Sequence, residues 1–484
     1  MSSTHHLPVS KRPLKEIGAR YCGIETAHEF IMIDMFPNKE NNQKNFAVES
    51  VVASAFCDGC SAANSGWQRA LRDNSFKMAK SISLAQRSTT QTKRPHGRVK
   101  SDVVTHCHQL HTPSCADLSN LLPSWEQSCT NTESTLHQLS PYIGKLKSSI
   151  AADLIKSLCP PGGLVADVFA GSGTVLLEAV RLGRRTFGVD SSPYAALLSR
   201  AKLTAPTTLG EALDRAKIRT AAAASRPSPD LRKVPTWVRD FFHPETLREA
   251  IKFSQECLEK NDDFLLACML GILHHQRPGF LSYPSSHLTP YLRDKKFPRD
   301  QFPELYQYRP LQPRLLAKIE RTYKRKEFVI APTQYTFVEG DTSQIEFPAK
   351  IDCVITSPPY MNALDYGRDN RLRLWFINKS HADLIDSAQS QQRDGFQALM
   401  GRLAKEVGER LVEGGYCVMI VGDQTKRGSK YALSTSVQQI FFQHAPGLRL
   451  VQTLANGIPD IRRARREYRG VRTENFLIFR KEDA

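Results

Sequence analysis

Four residues, Ser357-Pro358-Pro359-Tyr360, close the apolar run "IDCVIT", which reads as a buried strand. Two backbone donors are missing there, and Pro359 confines Pro358 to extended conformations, so the direction of the Pro358 carbonyl is nearly fixed. A side-chain oxygen and a fixed carbonyl can together accept both N–H bonds of one amino group. That suits the exocyclic amine of cytosine or adenine, whose lone pair is delocalised into the ring until the nitrogen becomes pyramidal. Tyr360 adds a ring face for a base withdrawn from a duplex. Stacking of that kind contributes about 1–3 kcal/mol per base. Taken alone, the same residues also describe a Pro-Pro turn closing a core strand, with Tyr360 as packing.

A second constellation lies upstream in "DVFAGSGT", where Gly171 and Gly173 stand between an apolar strand and a helix. Glycine there permits positive φ and lets a ligand approach the backbone. Asp190 ends the next strand, "TFGVD", 19 positions after Gly171. A carboxylate so placed can accept hydrogen bonds from ribose hydroxyls, which points to an adenosine-containing cofactor. A dinucleotide is disfavoured, because position 176 is Leu where the GxGxxG spacing needs glycine. A tight strand-to-helix turn without a ligand is the bland alternative.

With both motifs in view, the chain resembles the bacterial site-specific DNA amino-methyltransferases, which act on cytosine N(4) or adenine N(6). "DVFAGSGT" is similar to their S-adenosylmethionine motif, with Val168 where Pro is usual. The resemblance spans about residues 137–482 and implies a set of cofactor contacts: Asp167, Phe169, Gly171, Gly173, Thr174 and Asp190. "SPYIGKL" is similar to the segment preceding the glycine loop, which adds Tyr142 and Lys145, although Leu146 replaces the usual Phe. "VEGD" is similar to the segment whose acid, Asp341, would face the cofactor adenine. The catalytic set implied is Ser357, Pro358, Pro359 and Tyr360, and a serine at its head is typical of cytosine-N(4) enzymes. Adenine-N(6) methylation is the nearest alternative in chemistry, ahead of RNA or protein-glutamine methylation. A catalytically inactive DNA-binding protein is the alternative from another class, and the intact turn and loop speak against it.

These motifs require an α/β framework to position them. Strand, glycine turn, helix and strand over 164–190 form a β-α-β unit, and strands recur at "YTFVEGD", "IDCVIT", "YCVMIVGD" and "ENFLIFRK". The fold class expected is a Rossmann-like S-adenosylmethionine methyltransferase fold with a mixed, mostly parallel sheet and a largely helical insert. Residues 137–204 form its first part and 331–484 its second. The 186 positions from Gly171 to Ser357 exceed what a compact enzyme needs, and the excess falls in 205–330. That insert has helical patterns followed by Pro/Tyr/His-rich "YPSSHLTPY" and "YQYRP", suited to target recognition or to a packed loop. Residues 1–130 show weak periodicity and are expected to be disordered or poorly packed.

The 484 residues carry 66 Lys and Arg against 49 Asp and Glu, a net charge of +17, which favours a polyanionic partner. Double-stranded DNA is the partner the resemblance implies, and it allows for a cognate restriction endonuclease. Arg462, Arg463, Arg465 and Arg466 in "PDIRRARREYRG" suit phosphate contacts, or equally a solvated arginine-rich loop. Cys57 and Cys60 in "CDGC" could hold two corners of a zinc tetrahedron, but His106, Cys107, His108, His111 and Cys115 offer no second pair of regular spacing, so no metal is expected. The sequence has no apolar run long enough to span a bilayer and no secretory start, so membrane association is not expected. The eleven cysteines then read as reduced thiols of a cytoplasmic protein, with nucleoid association through DNA.

Overall fold

The computed structural model describes residues 117–127, 133–276, 279–286, 289–325, 335–359, 366–378, 393–426, 429–458 and 471–482. All belong to one compact unit spanning 106–484. Its centre is a sheet of β1 (Leu164–Asp167), β2 (Arg185–Asp190), β3 (Tyr335–Glu339), β4 (Ile351–Thr356), β5 (Leu411–Lys426), β6 (Ser429–Tyr431), β7 (Leu448–Gly457) and β8 (Val471–Lys481). The order is β3-β2-β1-β4-β5-β8-β7, with β6 as a short antiparallel addition to β5. The first five strands in that order are parallel, and β8 runs antiparallel between β5 and β7. This is a mixed, mostly parallel sheet of Rossmann-like topology.

All four residues of β1 are buried, as a strand covered on both faces must be. One face is covered by α1 (Ser148–Leu158), whose Ile150, Ala151, Leu154, Ile155 and Leu158 repeat at helical spacing. After β1 the chain enters α2 (Thr174–Arg181), returns through β2, and continues into α3 (Pro193–Leu203). Pro193 opens α3 at a position where its missing N–H costs nothing.

The insert supplies α4 (Leu209–Ala224), α5 (Pro244–Glu259), α6 (Asp263–Gly271) and α7 (Leu311–Thr322). These helices share one hydrophobic core with α3 and with α8 (Tyr366–Ile377), the helix that follows the Ser-Pro-Pro turn. Its irregular stretch is tied by Arg309, which donates to the carbonyls of Phe280, Ser282 and Leu305. The opposite face of the sheet is covered by α9 (Arg393–Arg410) and α10 (Leu433–His444).

The packed body starts earlier than the sequence pattern indicates. Leu118–Leu121 and Leu122–Gln127 are helical, within the stretch expected to be disordered or poorly packed. Trp125 is fully buried, with its ring 5.1 Å from that of Phe476, and its indole N–H donates to Asp153 at 2.9 Å. A segment too short for periodicity is held by one large side chain and its partners.

Candidate functional site

β1 and β4 are neighbours, with Val165 beside Cys353 and Ala166 beside Val354. From β1 the chain crosses to β2 on one side, while β4 flanks it on the other. Their carboxyl ends therefore meet at the point where strand order reverses, the place where open α/β sheets bind ligands. A cavity of about 660 Å³ lies there, within the usual range for cofactor sites of about 300–1,000 Å³.

The glycine turn forms one wall. Gly171 has φ +52° and Gly173 φ +69°, conformations that favour glycine. The turn is held from outside by side chains. Asp190 accepts the Gly171 N–H at 2.7 Å and the Ser192 N–H at 2.9 Å. Ser199 donates to the Gly171 carbonyl at 3.2 Å, and the buried Lys202 ammonium donates to the Ser172 carbonyl. Burial holds Lys202 well below the ordinary lysine range, with Lys145 adding like-charge repulsion. Burial pushes Asp190 up to about 6, with the Glu339 charge acting in the same direction.

The Ser-Pro-Pro turn forms the facing wall. Ser357 and Pro359 line the cavity. Pro358 is buried and is not among the lining residues, because successive residues of an extended chain face opposite sides. Thr356, the last residue of β4, joins the two walls. Its hydroxyl donates to Asp167 Oδ1 at 2.8 Å and accepts the Phe169 N–H at 3.0 Å. Burial raises Asp167 to about 7 against these hydrogen bonds.

Of the cofactor positions expected from the sequence, all but Gly173 line this one cavity: Tyr142, Lys145, Asp167, Phe169, Gly171, Thr174, Asp190 and Asp341. Gly173 instead faces α3, where an added Cβ would stand 2.7 Å from Ser199 Oγ and 2.9 Å from its Cα. Gly171 lies under Tyr142, whose ring would be 3.3 Å from an added Cβ. The Lys145 ammonium donates to the His137 carbonyl at 2.9 Å and lies 3.9 Å from Glu133. Tyr360, Arg462, Arg463, Arg465 and Arg466 lie outside the described residues, as do the cysteines and histidines of the zinc question. Among the described residues there is no His/Cys/Asp/Glu group fit for a metal and no helix long and apolar enough to cross a membrane. The described cysteines, Cys159, Cys257, Cys268, Cys353 and Cys417, are buried and unbridged.

Several wall residues carry no motif. Tyr366, the first residue of α8, lines the cavity and stacks on Tyr142 with centroids 6.0 Å apart. A stripe on α9, Gly395, Ala398, Leu399 and Arg402, closes another side at helical spacing. The 3.6-residue period is legible there, but nothing local marks that stripe as facing a ligand.

The donor set fits S-adenosylmethionine. Carboxylates at the strand ends, a positive-φ glycine turn packed under Tyr142, and aromatic walls match an adenosine with a charged tail. Asp190 and Asp341 would hold its hydroxyl and amino groups, and the glycine turn its tail. Fold and cavity together suit an adenosine-containing ligand at the carboxyl ends of β1, β2 and β4.

Residues 12–200 match the family model described as DNA methylase. That span holds the glycine turn and Asp190 and ends before Ser357, so the motif resemblance and the family match meet in the cofactor half of the chain. The type II methyltransferase M.MjaII of Methanocaldococcus jannaschii is 32% identical over 68 residues, 14% of this chain and 13% of that protein. The chain thus matches only a small part of that relative's length. Among solved structures, a putative DNA modification methylase from Thermus thermophilus is 21% identical, covering 28% of this chain and 49% of that one, with TM-score 0.18. A putative RNA methyltransferase from Pyrococcus horikoshii is 11% identical, covering 73% and 98%, with TM-score 0.30.

Proposed function

We propose that the protein methylates the exocyclic amino nitrogen of a base in double-stranded DNA, cytosine N(4) first and adenine N(6) as the alternative. The observation that carries this reading is that the glycine turn and the Ser-Pro-Pro turn line the same cavity at the β1–β4 junction. When bound, S-adenosylmethionine supplies an electrophilic methyl carbon. Ser357 accepts one amino N–H, and the Pro358 carbonyl, in the peptide unit leading to the wall residue Pro359, accepts the other. Together they localise the nitrogen lone pair and aim it across the cavity. Tyr360 stacks the extruded base, and the proton leaves for solvent after transfer, so no general base is needed. The serine at the head of the turn favours cytosine. The insert 205–330 reads the target, Arg462, Arg463, Arg465 and Arg466 hold phosphates, and parts 137–204 and 331–484 form the catalytic domain.

The test is incubation with unmethylated plasmid DNA and labelled S-adenosylmethionine, followed by nucleoside mass spectrometry. N(4)-methylcytosine is the expected product. N(6)-methyladenine alone would overturn the cytosine assignment, and no methylated nucleoside despite cofactor binding would overturn the DNA assignment.

A further inference from the structure

The helix that leaves the catalytic turn is attached to the insert by contacts the methyl-transfer scheme does not use. Arg368, exposed on the first turn of α8, donates to the Tyr291 hydroxyl from Nε at 3.0 Å and Nη2 at 2.6 Å. One turn on, the Arg371 guanidinium lies 4.2 Å from the centre of the Trp237 ring. Further along, Phe376 meets Phe242 edge to face at 6.0 Å. Tyr291 and both aromatic partners lie in the 205–330 insert. At the head of the same helix, Tyr366 lines the cavity and stacks on Tyr142.

The Tyr291 end is built to be rigid but accessible. Ser285 bridges Leu292, the Ser286 N–H donates to the Tyr291 carbonyl at 2.8 Å, and Ser282 and Ser285 are buried beneath. Tyr291 itself is 52% exposed, and Arg293, Lys295, Lys296 and Arg299 follow it in the chain. A polyanion reaching that loop meets the tyrosine whose hydroxyl already holds Arg368.

We propose that α8 couples DNA engagement by the insert to the catalytic turn, and that Arg368 and Tyr291 are its positioning pair. This rests on the methyl-transfer reading given above. Cation–aromatic contacts and a hydroxyl that accepts two N–H bonds fix the helix at its solvent side. The helix in turn fixes Tyr366 in the cavity wall, against Tyr142. A duplex that does not seat on the loop then leaves Tyr366, and the wall it forms beside Ser357 and Pro359, out of register.

Tyr291→Phe removes the acceptor and keeps the ring, and Arg368→Ala removes the donors. On unmethylated plasmid DNA each is expected to lower kcat about three- to tenfold, with KM for DNA and cofactor affinity nearly unchanged. The double variant should lose no more than either single one, as contacting residues are coupled on that scale. A raised KM with unchanged kcat, or losses that multiply, would overturn the pairing. A second arm needs no turnover. Adding a 30-base-pair duplex should slow amide exchange over Tyr366–Ile377 in the wild type and not in Tyr291→Phe. Equal slowing in both, or none in the wild type, would also overturn it. Absence of methyl transfer by the wild type would instead sink the functional reading and leave the exchange arm to judge the coupling.

Discussion

The Thr356 hydroxyl stands between Asp167 Oδ1, to which it donates at 2.8 Å, and the Phe169 N–H, which it accepts at 3.0 Å. One side chain, adjacent in sequence to Ser357, thereby registers the Ser-Pro-Pro turn against the glycine turn 187 positions upstream of it, at Phe169. Thr356 and Asp167 are both buried, so neither can trade the other for water without cost.

Thr356→Val keeps the shape and deletes the hydroxyl. It takes one hydrogen bond from the buried Asp167 carboxyl and leaves the half-buried Phe169 N–H with only its 3.3 Å bond to Asp167 Oδ1, a loss of about 1–3 kcal/mol. Thermal unfolding should register that cost, and cofactor titration should weaken with it. Unchanged affinity in a destabilised variant would show that the bond supports the core without registering the two turns.

The two glycines should separate in their effects. Gly173→Ala drives a Cβ into Ser199 at 2.7 Å and strains a φ of +69°, so stability falls first, by about 1–3 kcal/mol. Adding Ser199→Gly should recover part of it. Gly171→Ala also strains a φ of +52° but meets only the Tyr142 ring at 3.3 Å, inside the cavity wall, so it should lose less stability than Gly173→Ala and weaken cofactor binding as well. Calorimetry of both variants distinguishes the outcomes, and equal stability losses would contradict the assignment of Gly173 to packing.

Ser357→Ala removes the side-chain acceptor without touching the glycine turn. Loss of one oriented group at a charge-developing centre costs about 100- to 1,000-fold in kcat. Cofactor affinity should stay near that of the wild type. A variant with normal turnover would exclude Ser357 from the chemistry.

The β1–α2–β2 unit was legible because strand, turn and helix each carry a local signal, and Asp167 and Asp190 fall at strand ends. The helices of the insert were legible by period. The direction in which turn residues face was not: Gly173 and Pro358 belong to the motifs, yet one packs on Ser199 and the other is buried behind the wall. Such choices depend on partners far away in the chain. The same holds for Thr356, for the α9 stripe, and for Trp125, whose burial requires Phe476. Strand β7 is not announced locally either, since "LRLVQTLANG" alternates weakly and gains its place by pairing with β8. Helix α8 buries Asp369 and Arg373 within its apolar side, which blurs the pattern that would otherwise announce it.

Acid–base behaviour gives a final test, with opposite signs for stability and for binding. Burial raises Asp167 to about 7 and Asp190 to about 6, from an ordinary value of 3.8. The folded state therefore holds more protons than the unfolded chain between those values. The contribution of both groups to stability is fully present below about 4 and is lost as pH rises through 6 and 7. Asp167→Asn should flatten the upper part of that decline in thermal melts. Cofactor binding should run the other way, because the ribose hydroxyls of the proposed cofactor would donate to an ionised Asp190. Affinity should fall as pH drops through about 6, with proton release on binding near that pH. Calorimetry in two buffers of different ionisation enthalpy measures that proton directly. Asp190→Asn should abolish its release, and persistence of the full pH dependence in that variant would remove Asp190 from the cofactor site.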